Sequence, residues 1–165
     1  MRKWIFTALL VMTAAGAARA EDANDCGKFK WSVERERAWI LSGPTPVAAT
    51  SEITLGERAY RVTLAATDTI KFPAPPERAP KPGTHAGLLT FTVANPGAYD
   101  IALSGEGWID VAQNGALVKS SDFSGQKNCP GVRKSVRFPL SAGPATLQLS
   151  NIAADTIDVA IAPAP

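Results

Sequence analysis

The chain is poor in the residues from which catalytic and metal centres are built. It has one histidine, two cysteines and two methionines in 165 residues. Two cysteines and a single distant histidine make a poor zinc set. There is no G-x-S-x-G elbow, H-E-x-x-H helix, paired C-x-x-C, phosphate-binding glycine loop or dinucleotide fingerprint. A calcium site built on Asp110 or Asp122 would need several converging oxygens, and no ordered spacing of such ligands is present. No cofactor is therefore expected. Charge of one sign is lacking too. The 17 Lys and Arg face 15 Asp and Glu, and three of those bases, Arg2, Lys3 and Arg19, lie in the first twenty residues, which hold no acid. Without them 14 bases face 15 acids. That balance gives no dense cationic face for nucleic acid. Arg133, Lys134 and Arg137 do cluster, but on a strand Lys134 faces opposite to the two arginines, as on a solvated edge.

Long hydrophobic runs are confined to the start of the chain. Arg2-Lys3, the apolar run from Trp4 to about Ala15 and Ala18-Arg19-Ala20 read as an export signal over 1–20 with an A-x-A-like cleavage site. The run is shorter than the ~20 residues a membrane span needs, and nothing later approaches that length. Ala23-Asn24-Asp25 before Cys26 does not resemble a lipidation box. The expected product is a single soluble domain over 21–165, periplasmic or secreted. In that oxidising setting Cys26 and Cys129 are expected to pair. A bridge closing about 100 residues stabilises by roughly 4–5 kcal/mol in the chain-entropy model.

What the sequence has in quantity is two-residue alternation. From Gly97 to Leu140, Tyr99, Ile101 and Leu103 oppose Ala98, Asp100 and Ala102; Ile109 and Val111 oppose Trp108, Asp110 and Ala112. Asn114-Gly115 then marks a tight hairpin, because both residues tolerate the positive φ of a type I′ turn. Lys134, Val136, Phe138 and Leu140 form one face of a later strand, and Pro139 places part of it at an end or edge. Elsewhere Phe29-Trp31-Val33, Tyr60-Val62-Leu64, Ile70-Phe72, Leu89-Phe91-Val93, Leu147-Leu149 and Ile157-Val159-Ile161 alternate similarly. Glu34 to Leu41 fits a short helix or a continued strand, with the helix favoured. Five prolines in 73–83 exclude ladder and helix and describe an extended connector, either a crossover or a ligand for a partner's aromatic groove. The spacing predicts an all-β antiparallel β-sandwich, jelly-roll-like, of about eight or nine strands with one short N-terminal helix.

Two places offer a contact surface. Trp108 and Asp110 share the face opposite Ile109 and Val111, and an exposed indole beside a carboxylate can stack on a sugar ring and bond its hydroxyls. The other reading of Trp108 is an indole covered by a loop. The loop from Ser120 to Gly131, with Ser121, Asp122, Phe123, Gln126 and Lys127, sits where sandwich-end binding loops lie, or is a turn stapled by Cys129. His85, alone among histidines, is a conceivable base.

The run GLLTFTVANPGAYDIALSGEGWIDVAQNGALVKS, followed by FSGQKNCPGVRKSVRFPLSAGPATLQLS, is similar in outline to carbohydrate-binding and related accessory β-sandwiches. More closely, the mature chain resembles a group of small exported bacterial proteins of unestablished role, to which the name homogentisate 1,2-dioxygenase is sometimes attached. The first resemblance implies a glycan ligand. The second name implies a non-haem iron held by two histidines and a carboxylate. The sequence carries one histidine. The reading that results is an exported, non-catalytic binding or envelope-associated module, with a glycan or an envelope protein as partner. The alternatives are an enzyme centred on His85 with a nearby acid, and a structural subunit joined through an edge strand or the proline connector.

Overall fold

A computed structural model describes residues 24–165; the expected export signal, 1–20, lies outside the described residues. The alternating stretches become β-strands because each has one face to bury. In chain order they are β1 (Thr45–Ala48), β2 (Thr50–Glu52), β3 (Ala59–Thr63), β4 (Ala65–Ala66), β5 (His85–Val93), β6 (Gly97–Leu103), β7 (Trp108–Gln113), β8 (Ala116–Val118), β9 (Asp122–Gly125), β10 (Lys134–Leu140), β11 (Gly143–Ile152) and β12 (Thr156–Pro163). The first sheet runs β1-β3-β12-β6-β10-β9 and the second β2-β5-β11-β7-β8, with β4 also on β5. The two sheets pack as a β-sandwich, as the alternation predicts. Between them lie Tyr99, Ile101 and Leu103, Ile109 and Val111, Val136, Phe138 and Leu140, and Leu147 and Leu149. Each fully buried side chain of this size contributes on the order of 1.5–3 kcal/mol relative to exposure.

The strand count exceeds the expected eight or nine because the edges carry extra short strands. Two of these are parallel, β1 on β3 and β2 on β5, so the sheets are mixed rather than wholly antiparallel. With only Ala49 between them, β1 and β2 carry the chain from one sheet to the other along the same side of the sandwich. The chain crosses again on that side from β3 through Leu64 to β4. Gly87 is required there: a Cβ on it would stand 3.0 Å from Leu64 Cδ2 and 3.1 Å from the Ala49 carbonyl oxygen. The opposite side, where β8 lies over β9, is crossed once, by Lys119 to Ser121 between those two strands.

The hairpin at Asn114-Gly115 has φ of 52° and 77°, as a type I′ turn needs. Pro139 falls beyond Arg137↔Asp122, the last pair between β10 and β9, so its missing donor costs no ladder bond to β9. Two expected strands are absent. Phe29 to Val33 follows a 3-10 turn at Cys26–Lys28 and lies across the first sheet instead of joining it. Its Phe29 and Val33 bury with Ile40, Ala102, Val132 and Ala160. Ile70 and Phe72 follow a 3-10 turn at Thr67–Thr69, where Thr67 Oγ1 donates to the Thr84 carbonyl and Thr69 Oγ1 to that of Ala66. Such local side-chain bonds compete with a ladder.

Each sheet also has a covered outer face. On the first, the segment from Asn24 through helix α1 (Glu34–Leu41) forms an apolar cap, held by the Cys26–Cys129 disulfide. Under it Arg137 meets Asp100 through paired bonds of 2.7 and 2.8 Å, with Trp31 at 4.5 Å from the guanidinium. On the second, the proline-rich connector crosses as a strap with no strand of its own.

Candidate functional site

The strap decides the setting of Trp108 and Asp110. A chain with five prolines has few donors, and the second sheet supplies partners for those that remain. Gln148 brackets Ala74, accepting from its N–H at 3.0 Å and donating to its carbonyl at 3.1 Å. Asn151, which holds a φ of 57°, accepts from Lys81 N–H at 2.8 Å. Asp110, paired in register with Gln148, accepts from Glu77 N–H through one oxygen and from the Trp108 indole N–H through the other, at 3.1 and 3.0 Å. Asp110 is 4% exposed. The expectation of an open carboxylate beside the indole is thus corrected: the strap covers it and takes one oxygen, and the indole takes the other. Burial pushes the Asp110 carboxyl above its ordinary value, against the lowering pull of those two donors.

Trp108 is half-buried. Its ring carries the Arg78 guanidinium at 4.1 Å from the centroid and the Lys134 ammonium at 4.7 Å, one cation from the strap and the other from the opposite sheet. Lys134 Nζ donates to the Gly107 carbonyl at 3.2 Å. Burial first, and the Arg78 charge next, push the Lys134 ammonium below its ordinary value. None of the ion pairs among the described residues includes Arg78 or Lys134.

Trp108, Arg78 and Lys134 line a groove of about 410 Å³ on the β8–β9 side of the sandwich, with Glu77, Ser120 and Phe123 also on its wall. Phe123 is 63% exposed. The stretch expected as a loop from Ser120 to Gly131 is in part strand β9, because its backbone pairs with β10 from Lys134↔Gly125 to Arg137↔Asp122. Its other expected contact residues are engaged by neighbouring groups at the surface. Ser121 N–H and Oγ both donate to the Arg137 carbonyl, at 2.8 and 3.2 Å. Asp122 pairs with Lys30 at 2.6 Å, and that hydrogen bond lowers its carboxyl from the ordinary value. Gln126 Nε2 donates to the Lys28 carbonyl at 3.0 Å. The geometry brings together Trp108 and Phe123 at the groove and leaves Asp110 beneath the strap, with Ser121, Asp122 and Gln126 tied to the main chain or to the N-terminal segment.

No family model and no curated protein matches the chain. Among solved structures it is similar to the pre-peptidase C-terminal domain of a collagenase from Bacillus anthracis, with 17% sequence identity and a TM-score of 0.44, over 73% of this chain and 99% of that one.

Sequence reasoning missed Glu77, Arg78 and Lys134. Lys134 did carry a signal, since it stands in the inward register with Val136, Phe138 and Leu140. A lysine there must reach an opening or a partner. Arg78 carried none, because nothing in the connector says which strand it will cross. His85 opens β5 beside a separate cavity of about 620 Å³ with Thr67, Asp68, Phe72 and Lys81 on its wall. Its Nδ1 is shut off from solvent and has no hydrogen-bond partner. An iron site of two histidines and a carboxylate does not fit a chain with one histidine, and among the described residues no three His, Cys, Asp or Glu converge. Among the described residues no helix is long and apolar enough to cross a membrane.

Proposed function

We propose that this protein is an exported, non-catalytic binding module of the cell envelope or its surroundings, and that its contact surface is the groove between Trp108 and Phe123, with a carbohydrate as ligand. The observation that carries the reading is Phe123: a large apolar side chain, 63% exposed, on an edge strand and beside a second aromatic. Exposed aromatics over a polar-rimmed groove are the usual means of stacking on a sugar ring. The stacking ring is that of Phe123, over which one ammonium, that of Lys30, lies 5.5 Å from the centroid, whereas two cations lie closer over Trp108. Around Phe123 the backbone is held by β10 and by the Asp122–Lys30 pair, so little ordering is needed when a ligand arrives. The disulfide is compatible with an oxidising compartment.

The test is binding to an oligosaccharide array by wild type and by Phe123→Ala. Wild type is expected to bind a subset of glycans, and the variant to lose at least tenfold in affinity with an unchanged circular dichroism spectrum. Equal binding by the variant, or binding to no glycan, overturns the reading.

A further inference from the structure

We propose that the ligand of this groove is a carboxylate-bearing saccharide, its acid group held by the Arg78 guanidinium and the Lys134 ammonium while Phe123 stacks on the ring. The inference rests on the binding role just proposed and adds the chemical class. Two cations beside one indole repel each other, and no protein acid is paired with either among the described residues. The other charges nearby are committed. Arg133 pairs with Glu106 and Lys30 with Asp122. Asp110 is buried and does not line the groove. Glu77 does line it, exposed at the rim, and opposes an incoming acid.

Donor supply agrees with this. Lys134 Nζ spends one of its three N–H donors on the Gly107 carbonyl, and the Arg78 guanidinium donates no hydrogen bond to the described residues. A planar carboxylate matches an arginine fork and takes a further bond from an ammonium. Ring and acid group together are what a uronic-acid unit offers. Phe123 addresses the first and the cation pair the second, from two walls of one groove. A neutral saccharide would leave the two cations without a directly paired acid.

The experiment measures affinity for matched oligosaccharide pairs that differ only in whether a sugar carries a carboxylate or the neutral hydroxymethyl, with wild type, Arg78→Gln, Lys134→Gln, Glu77→Gln and Phe123→Ala. The acidic member is expected to bind at least tenfold tighter to wild type. That preference is expected to collapse in Arg78→Gln, whose exposed position leaves the fold unaffected, and in Lys134→Gln, and to increase in Glu77→Gln. It is also expected to weaken as sodium chloride is raised. Neutral and acidic members bound equally, with Phe123→Ala still abolishing both, overturns the acid assignment and leaves the binding role standing. A preference kept in Arg78→Gln also overturns the acid assignment. Absence of binding to every pair overturns both.

Discussion

The two outer faces of this sandwich are covered by different chemistry. The first sheet lies under a cap whose buried centre is apolar, Phe29, Val33 and Ile40 over Ala102 and Ala160, with a disulfide fastening it and polar bonds such as Trp31 Nε1 to Ser135 Oγ around that centre. The second lies under a strap that brings little hydrophobic surface and is held by Gln148, Asp110 and Asn151 reaching up to its backbone. An apolar cap gains from area and tolerates imprecise placement. A polar strap gains from geometry, so each bond fixes one backbone position. That is why Arg78 can be aimed over the Trp108 ring from a segment without secondary structure of its own. Coverage by grease makes a foundation, whereas coverage by hydrogen bonds makes a positioned wall.

Removing the fastening from the cap is expected to have the largest effect. Cys26→Ser with Cys129→Ser opens a bridge spanning 103 residues, and thermal unfolding should report a loss of about 4–5 kcal/mol, matched by wild type under reductant. The strap should respond to a single side chain. Gln148→Ala leaves the N–H and carbonyl of buried Ala74 without partners, for an expected loss of about 3 kcal/mol in urea unfolding. The smallest effect distinguishes the faces by pH. Because burial raises the Asp110 carboxyl in the fold, its contribution is fully present below the ordinary aspartate value and is lost as pH rises through the folded value. Wild type should therefore gain stability relative to Asp110→Asn between pH 7 and pH 4. A difference between the two that stays flat over that range would mean the strap shields Asp110 less than its burial indicates.

The inner layer was legible from the chain because burial on one side of a strand writes itself as alternation. With the exception of Ile70-Phe72, the inward apolar sets read from Tyr60-Val62-Leu64 to Ile157-Val159-Ile161 face the core. The Asn114-Gly115 turn, the helix at Glu34 and the Cys26–Cys129 pairing were legible for equally local reasons. The edges were not. Thr45–Ala48 and Thr50–Glu52 are largely exposed and join their sheets through backbone bonds, which leave almost no trace in side-chain pattern. The candidate site was half legible: Trp108 and Phe123 stood out as aromatics in polar company. The concealment of Asp110 depends on a strap anchored 33 residues away at Glu77, and no local pattern encodes such a partner.

The side of the sandwich where β1 runs into β2 and β3 into β4 is stitched twice by continuous chain, like the spine of a book. The fore-edge, where β8 lies over β9, is stitched once, by the three residues Lys119 to Ser121. A guest seated at that margin, by bridging Arg78 over one leaf to Lys134 on the other, would add a second, non-covalent clasp beside that single stitch.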